Sequence, residues 1–344
     1  MLKPITYHHS RGTCHIIFSS FSAYLTKLPI NTVCIVDKNV YQLYQTIFND
    51  LQKPIFVFHA SEKRKTLTSL ENILTFFHDN EVDRSYTIIA IGGGITCDIA
   101  ALAASVWKRG CKLTLIPTTL MAMVDASIGG KTAINFLTVK NSVGTFYHPE
   151  IILIDTLFLK TLPVEIYKEG IPEIVKHALT LNKSLLDQLL EIQDICLKQI
   201  DNALIYKNIT TKLSIIKSDP EEKNVRKILN MGHTVGHAIE IAYGLPHGTA
   251  VANGIVLELE TLALLGYIED HQILSLSKSI LRPFITKKIK NKIEPLLPFL
   301  KQDKKRCEEK ISIPVVKSIG NTVVEDILLS DFTNALQKAL INEY

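Results

Sequence analysis

The 344-residue sequence lacks the features that mark exported or membrane-spanning proteins. Its six cysteines are scattered without a C-x-x-C pair, which favours buried free thiols over disulfides or a thiolate metal site. No run of eighteen apolar residues occurs, and the N-terminus has no apolar core of signal-peptide length. We therefore expect a protein of the reducing cytoplasm that neither is exported nor spans a membrane.

A large charge of either sign is also missing. The net charge of +4 is small and dispersed, so it does not predict a nucleic-acid surface. It suits an anionic small-molecule substrate, and an ordinary solvated surface explains it equally well. What the chain does have is ordinary apolar content over a length that is sufficient for two domains.

The first half alternates short apolar runs with helical patterns. Continuous apolar runs separated by helices are typical of parallel strands buried on both faces. Such runs predict strands at 32–37, 54–59, 86–94, 112–119 and 151–155. Helical patterns follow at 183–217, 225–242, 249–266 and 325–342, with a small strand pair within 308–324. We predict an α/β Rossmann-like parallel-sheet domain, residues 1–160, and a mostly α-helical domain, residues 161–344.

The stretch "AIGGGITCD" places three glycines between a predicted strand and a helix that begins near Thr96. Backbone at Gly92, Gly93 and Gly94 can approach a ligand closely, and a helix N-terminus there favours a phosphate. A tight structural turn is the alternative. The G-x-G-x-x-G fingerprint is absent, which argues against an ordinary Rossmann dehydrogenase. Asp37, at the end of the first predicted strand, lies where many such folds bind a ribose hydroxyl.

A second glycine-containing stretch, "TTLMAMVDASIGGKTAIN", carries Asp125 and Lys131, and Lys140 and Asn141 follow it. Lysines in a glycine-flanked segment with weak periodicity are well placed for an anionic ligand. Solvated loop lysines explain the same pattern equally well.

Three histidines lie within fifteen positions of "NMGHTVGHAIEIAYGLPHG". His233 and His237 have the H-E-x-x-H spacing of one helix face, but Thr234 replaces the glutamate, which argues against a metalloprotease. His247 follows a turn and can reach the same site, and "EGIPEIVKH" offers Glu169 or Glu173 as an acidic ligand. The spacing leaves open which histidines bind a metal, and buried structural histidines are the alternative.

Together with these stretches, the ordered motifs "KNSVGTFYHP", "PEIVKH", "RKILNMGHTVGHAIE" and "LPHGTAV" resemble the 3-dehydroquinate synthase family. The resemblance implies a carbon–oxygen lyase of the shikimate pathway that converts 3-deoxy-D-arabino-heptulosonate 7-phosphate to 3-dehydroquinate and phosphate. It also implies an NAD that acts catalytically and a divalent metal, which is zinc, with cobalt as the alternative. Hydride removal from C5 would acidify the C6 proton for phosphate loss, after which the hydride returns and the carbocycle closes.

The same resemblance implies roles for individual residues. It implies Glu173, His233 and His247 as metal ligands. For substrate and catalysis it implies His237, Lys131, Asn141, Arg226, Lys176, Lys212, Arg109, Asn230 and one lysine of "DKK", Lys304 or Lys305. For NAD it implies Asp37, Glu62, Lys65, Gly93, Gly94, Asp98, Thr118, Thr119, Asp125, Lys131, Lys140 and Thr161. Thr249 departs from the family pattern, which has a glutamate two residues after His247, and this puts metal affinity in doubt.

Three other functions compete with this interpretation. They are a neighbouring sugar-phosphate cyclase, a polyol-type metal-dependent alcohol dehydrogenase that would release NADH, and an inactive binding protein that retains NAD and metal. The crowded lysines argue for a phosphorylated substrate, and intact Lys131, Asn141, Arg226 and His237 argue against loss of activity. We also expect a cytoplasmic homodimer that binds a small sugar phosphate and neither nucleic acid nor membranes.

Overall fold

The computed structural model describes residues 2–9, 12–137, 139–196, 198–286, 289, 291–302, 306–307 and 309–343. The chain divides into two units, each with its own internal contacts. The first runs to Pro163 and also includes Asp201–Ile205. The second comprises Val164–Ile200 and the chain from Tyr206 onward.

Strands occur along the whole first unit. Those in its described part are β1 (Ile5–His9), β2 (Gly12–Phe18), β3 (Thr32–Asp37), β4 (Ile55–Phe58), β5 (Thr87–Gly92), β6 (Lys112–Pro117), β7 (Ile134–Phe136), β8 (Val139–Val143) and β9 (Ile151–Ile154). The five predicted strands are confirmed as β3, β4, β5, β6 and β9. Sequence reasoning missed β1 and β2, because their residues alternate between buried and exposed and so form no continuous apolar run.

Seven of these strands form one sheet in the order β1-β2-β9-β6-β5-β3-β4. All neighbours pair in parallel except β1, which is antiparallel to β2 at one edge. The chain passes from β3 to β4 on one side and then to β5 on the other side of β3, so the strand order reverses there. The carboxyl ends of strands beside such a reversal form the crevice in which open α/β sheets bind ligands.

Short helices connect the strands of the first unit. They are α1 (Phe21–Leu25), α2 (Lys38–Leu43), α3 (Gln45–Asp50), α4 (Leu67–Asp79), α5 (Gly94–Val106) and α6 (Leu157–Thr161). Helix α5 begins at Gly94, slightly before the predicted start near Thr96. A Cβ on Gly92 would lie 2.6 Å from Thr96 Cβ, so β5 can run directly into α5 only because residue 92 has no side chain.

The second unit is mostly helical. Its helices, in chain order, are α7 (Val164–Lys168), α8 (Ile171–Leu181), α9 (Lys183–Leu190), α10 (Asn202–Ser218, which begins in the first unit), α11 (His233–Tyr243), α12 (His247–Leu264), α13 (His271–Leu281), α14 (Leu297–Gln302) and α15 (Leu329–Glu343). Its strands β10 (Arg306–Cys307), β11 (Lys310–Ser318) and β12 (Asn321–Leu328) form an antiparallel sheet. The predicted fold class and the strand pair within 308–324 are confirmed.

Three of the predicted helical segments are wrong in part. Segment 183–217 is interrupted between α9 and α10, where Asp194 Oδ1 accepts the Cys196 N–H at 2.9 Å in a local turn. Segment 225–242 is divided by Gly232, whose φ is 75°, into a 3₁₀ turn, Val225–Asn230, and α11. Segment 325–342 begins in β12, because these residues pair with β11 across the turn at Gly320.

Helix α12 is buried along most of its length and packs against α8, α11, α13 and α15. A Cβ on Gly254 of α12 would lie 2.1 Å from the Gly232 carbonyl oxygen and 2.7 Å from the Gly236 nitrogen. The glycine therefore permits close packing of α11 on α12. Since α11 begins at His233 and α12 at His247, this packing also determines how the two histidines are placed.

The described cysteine side chains are free thiols. Four are buried, which confirms the prediction of buried free thiols for them, and Cys196 is a free thiol but only half-buried. The side chain of Cys307 lies outside the described part. Within the described ranges, no helix combines the length and the apolar content that crossing a bilayer requires.

Candidate active site

Glu173, His233 and His247 converge at the ends of three helices. Glu173 lies in the first turn of α8, while the two histidines begin α11 and α12. Nε2 of each histidine lies 3.3 Å from the same atom, Oε1 of Glu173. One ligand atom from each of the three side chains lies within 4.8 Å of the other two. Three donor atoms at this spacing can surround a single metal ion.

Hydrogen bonds on the far side of each imidazole fix its orientation. Nδ1 of His233 donates to the Met231 carbonyl oxygen at 3.1 Å, and Nδ1 of His247 donates to Oε2 of Glu240 at 3.1 Å. Carbonyl and carboxylate oxygens only accept, so Nδ1 carries a proton in both rings. Nε2 is therefore the atom that each ring presents to Glu173, an orientation found in metal-binding histidines.

The charges around Glu173 favour its ionised form. Burial disfavours the carboxylate, but Lys176, which donates to Oε2, and His233 hold the pKa of Glu173 well below its usual value. Burial and the Lys176 ammonium lower the pKa of His233. Burial also opposes a charge on His247, but hydrogen bonds to Glu173 and Glu240 raise its pKa to about 10. At neutral pH Glu173 and His233 are thus in the protonation states that coordinate a metal, whereas coordination by His247 displaces a proton.

Glu258 of α12 holds the beginning of α11. Its Oε2 accepts the Gly232 N–H at 2.7 Å and its Oε1 accepts the Val235 N–H at 2.9 Å. A fully buried carboxylate is stabilised at this position by the N–H groups and the dipole of the helix end. The placement of His233 therefore depends on α12 as well as on its own helix.

Glu169, the other acid that the spacing offers as a ligand, caps α12 instead. Its Oε2 accepts the N–H groups of Gly248 at 2.5 Å and Thr249 at 3.2 Å, and its Oε1 accepts the Thr249 hydroxyl at 3.0 Å. The acid bonded to His247 Nδ1 is Glu240. A carboxylate therefore supports His247 although Thr249 stands where the family pattern has a glutamate.

His237 lies one turn beyond His233 on α11 and is exposed. Its ring centroid lies 5.2 Å from that of His233 and 6.0 Å from that of His247. With Glu240 and His247 it forms a second group whose ligand atoms lie within 4.8 Å of one another. The first group is better arranged, because both of its Nε2 atoms face one buried oxygen, whereas Glu240 is engaged by Nδ1 of His247.

The other residues that the resemblance assigns to the substrate lie in both units. In the second unit Lys176, Lys212 and Arg226 are buried, which is rare for charged side chains. Asn230 is half-buried, and its Nδ2 donates to Oε1 of Glu222 at 2.7 Å. The two lysines of the "DKK" stretch, Lys304 and Lys305, lie outside the described residues.

Asp219 organises the segment that carries Arg226. Its Oδ2 accepts the N–H groups of Asn224 at 2.7 Å and Arg226 at 3.0 Å, and its Oδ1 accepts the Lys223 N–H at 2.9 Å. Burial disfavours the charge, but these backbone hydrogen bonds outweigh it and lower the pKa of Asp219. The carboxylate therefore fixes the backbone from which the Arg226 side chain extends.

In the first unit, three residues assigned to NAD or substrate meet directly. Nζ of Lys65 lies 2.5 Å from Oδ2 of Asp98 and 2.5 Å from Oδ1 of Asn141. Lys65 is buried, and burial raises the pKa of Asp98, an effect that the Lys65 ammonium offsets only in part. The ion pair brings α5 together with the segment before α4, and the hydrogen bond to Asn141 joins β8 to them.

Several residues assigned to NAD lie at the carboxyl ends of neighbouring strands. Asp37 ends β3, where its Oδ1 also caps α2 by accepting two backbone N–H groups. Gly93 and Gly94 follow β5, and Thr118 and Thr119 follow β6. A Cβ on Gly93 would lie 3.0 Å from Thr119 Cγ2, so the two loops approach closely. These five residues therefore share the sheet edge beside the reversal of strand order.

Other assigned residues of this unit lie on turns, on a hairpin and at a helix end. Arg109, Lys131 and Lys140 are exposed. Asp125 lies in a π-helical turn, Ala122–Ala126, and Thr161 ends α6. The exposure of these basic side chains is compatible with both interpretations that the sequence left open, binding of an anionic ligand and an ordinary solvated loop.

Sequence reasoning missed four residues that hold parts of the site in place, Glu240, Glu258, Asp219 and Asn135. Glu240 lies three residues after His237, a spacing that places both on one helix face and could have identified it. Glu258, Asp219 and Asn135 accept backbone N–H groups of the helix start, loop or strand bulge that each of them faces. Such contacts follow no spacing rule, so the sequence carried no signal for them.

The combination of a parallel-sheet unit and a mostly helical unit is shared with solved sugar-phosphate cyclases. The solved 2-deoxy-scyllo-inosose synthase in complex with carbaglucose-6-phosphate, NAD+ and Co2+ has this fold, with a TM-score of 0.83, 22% identity and coverage of 98% of this chain and 100% of that one. ValA, the 2-epi-5-epi-valiolone synthase of Streptomyces hygroscopicus subsp. jinggangensis 5008 with NAD+ and Zn2+ bound, gives 0.81 and 24%, with coverage of 100% and 99%.

Sequence comparisons are more specific. Residues 55–169 match the model of the 3-dehydroquinate synthase N-terminal domain, and residues 170–306 match that of the C-terminal domain. The 3-dehydroquinate synthase of Pyrobaculum aerophilum is 33% identical over 98% of this chain and 97% of that protein. This chain belongs to the 3-dehydroquinate synthase family, as the ordered motifs predict.

Proposed function

We propose that this chain converts 3-deoxy-D-arabino-heptulosonate 7-phosphate to 3-dehydroquinate and phosphate, with a catalytic NAD and a divalent metal. The observation that carries the proposal is the convergence of Glu173, His233 and His247 beside Lys176, in a chain of the 3-dehydroquinate synthase family. Lys176 places a positive charge beside the three proposed metal ligands, and a phosphorylated substrate needs such a charge to bind it.

The donor set fits a catalytic metal. Two imidazole nitrogens and one carboxylate oxygen are a ligand set of catalytic zinc sites, which keep a further position open for substrate oxygens. We propose Glu173, His233 and His247 as the ligands and zinc as the metal, since a structural relative binds Zn2+, although another binds Co2+. When bound, the metal would polarise substrate oxygens, and NAD would accept a hydride and return it.

Further residues of the second unit would bind and orient the substrate. Lys176, Lys212 and Arg226 supply buried positive charge for a phosphate and a carboxylate. His237, exposed beside the donor set, would hold or move a proton at a substrate oxygen. Asn230 would add hydrogen bonds. From the first unit we assign Arg109, Lys131 and Asn141 to the same substrate.

NAD would bind at the sheet edge beside the reversal of strand order. Backbone N–H groups at the start of α5, after Gly93 and Gly94, would hold its diphosphate. Asp37 would accept hydrogen bonds from a ribose. We also assign to NAD the remaining residues that the resemblance implies, which are Glu62, Lys65, Asp98, Thr118, Thr119, Asp125, Lys131, Lys140 and Thr161. In this proposal residues 1–160 form the NAD-binding domain and residues 161–344 the metal- and substrate-binding domain.

One incubation tests the activity. The zinc-loaded protein is mixed with the heptulosonate 7-phosphate and a small amount of NAD, phosphate release is followed, and the carbocycle is identified by mass and NMR. We expect 3-dehydroquinate and many phosphates per NAD. Stoichiometric NADH without phosphate would instead indicate a polyol dehydrogenase, and turnover of a different sugar phosphate only would indicate a neighbouring cyclase. The homodimer and the cytoplasmic location stay predictions from the sequence.

A further inference from the structure

The β7–β8 hairpin is irregular where Lys140 and Asn141 lie. Ile134 pairs with Val143 and Phe136 pairs with Val139, so Asn135 alone faces the segment 140–142. Extra residues on one strand bend it and re-aim its side chains, and such bulges are frequent next to active sites. Asn141 has a φ of 51°, in the left-handed region that asparagine adopts more readily than most residues. The bulge thus sets the direction of both side chains.

Asn135 binds this bulge to a second segment through its amide. Its Oδ1 accepts the Asn141 N–H at 2.9 Å. Its Nδ2 donates to Oε1 of Glu62 at 2.7 Å and to the Glu62 carbonyl oxygen at 3.2 Å. Its backbone N–H donates to the Lys65 carbonyl oxygen at 2.7 Å. One side chain therefore connects a strand bulge with the turn from Glu62 to Lys65.

The two segments also meet through side chains that the proposed function assigns to ligands, because Nζ of Lys65 donates to Oδ1 of Asn141. We propose that Asn135 is a positioning residue that couples the NAD-contacting turn, Glu62 and Lys65, to the substrate-contacting bulge at Asn141. This inference rests on the function proposed above, which assigns those ligands. It adds a residue that touches neither ligand but holds residues of both sets.

The acceptor and donor roles of the Asn135 side-chain amide can be tested separately by mutation. Asn135→Asp retains an oxygen that accepts the Asn141 N–H but replaces the donor to Glu62 with an oxygen, which sets two carboxylates together. Asn135→Ala removes both ends. The double variant combines Asn135→Asp with Glu62→Gln, so that the side-chain amide introduced at position 62 can donate to the new carboxylate. The hydrogen bond then returns with donor and acceptor exchanged.

The experiment measures NAD binding by calorimetry on each folded, zinc-loaded variant, and then kcat and KM for the heptulosonate 7-phosphate at saturating NAD. Asn135→Ala should raise both the NAD dissociation constant and KM roughly three- to thirtyfold, the loss of one or two hydrogen bonds. Asn135→Asp should raise the NAD constant by a similar factor and leave KM near its original value. The double variant should bind NAD more tightly than the product of the effects of Asn135→Asp and Glu62→Gln, each measured alone, allows.

A matched control is Asn80→Ala, which removes an amide that donates within its own helix end, to the Phe76 carbonyl oxygen at 2.8 Å. It should change neither constant. Equal NAD constants in Asn135→Asp and the unchanged protein, or strictly multiplicative effects in the double variant, would overturn the coupling. If Asn135→Ala does not fold, the aspartate variant and the double variant decide alone. Failure of the unchanged protein to bind NAD or release phosphate would instead overturn the proposed function.

Discussion

The Glu240 carboxylate should raise the metal affinity of a site that it does not enter. Its Oε2 lies 3.1 Å from Nδ1 of His247, accepts the hydrogen bond from that atom and so holds Nε2 of the ring toward Glu173. Glu240→Ala removes this support and leaves all three proposed ligands in place. His247→Ala removes a ligand, and His237→Ala removes a neighbouring imidazole that the proposal does not count as a ligand.

The expected effects on zinc affinity differ in size. Loss of a carboxylate behind a metal-bound histidine costs roughly 10- to 100-fold, or about 1.4 to 2.7 kcal/mol. A structural zinc site with four ligands binds with about 10 to 16 kcal/mol, so one ligand contributes roughly 3 kcal/mol, and His247→Ala should lose more than a hundredfold. His237→Ala should bind zinc about normally while turnover falls roughly 10²- to 10⁴-fold, as for a positioned acid–base group.

Competition with a chromogenic chelator on folded, purified protein measures these affinities, and elemental analysis checks the zinc content. Glu240→Gln is the sharpest control. Its amide oxygen still accepts the His247 proton, so a supporting role predicts a smaller loss than in Glu240→Ala. If Glu240 were itself a zinc ligand, Glu240→Gln and Glu240→Ala should lose comparable zinc affinity, because a neutral amide is a poor zinc ligand. Comparable zinc loss in His237→Ala and His247→Ala, with Glu240→Gln as damaging as Glu240→Ala, would refute our division of the histidines.

Three further predictions concern the scaffold and the cofactor. Asp219→Asn should lower the free energy of unfolding by about 1 to 3 kcal/mol at pH 7. Since the folded-state pKa of Asp219 is depressed, that difference in unfolding free energy should persist above its unfolded pKa of about 3.9 and shrink as the pH falls further. Urea unfolding of both proteins at neutral pH and at acidic pH measures it. Gly254→Ala would place a methyl group 2.1 Å from the Gly232 oxygen, so melting temperature and zinc affinity should fall together. Phosphate release should greatly exceed the NAD supplied, with no accumulation of NADH absorbance.

The parallel strands were predictable because burial on both faces leaves a continuous apolar run, as in β3, where every residue is buried. The alternating strands β1, at the sheet edge, and β2, beside it, gave no such run. Helix ends were predicted less well, because Gly232 and the Asp194 turn break helices through local geometry that apolar periodicity does not encode.

The candidate site, like the fold, was predictable from the sequence only in part. The resemblance supplied Glu173, His233 and His247 because their motifs occur in order along the chain, and the structure brings these three side chains together. It supplied no contact partner for them. Glu258 becomes recognisable only when α11 is packed on α12, since it faces Gly232 from 26 residues away. The spacing of Glu240 from His237 indicates a shared helix face, but its partner His247, seven residues further along the chain, is evident only in the structure.

Four glutamates of the second unit illustrate why residue type alone could not assign these roles. Glu169 and Glu258 face backbone N–H groups at helix starts, so their lone pairs are used in holding α12 and α11. Glu240 faces a protonated Nδ1, so it orients a ring. Glu173 has one oxygen bound by Lys176 and the other facing two Nε2 atoms, which leaves that oxygen directed where both rings point. What each carboxylate faces decides its role, and in every case the group it faces is supplied by helix packing or helix capping.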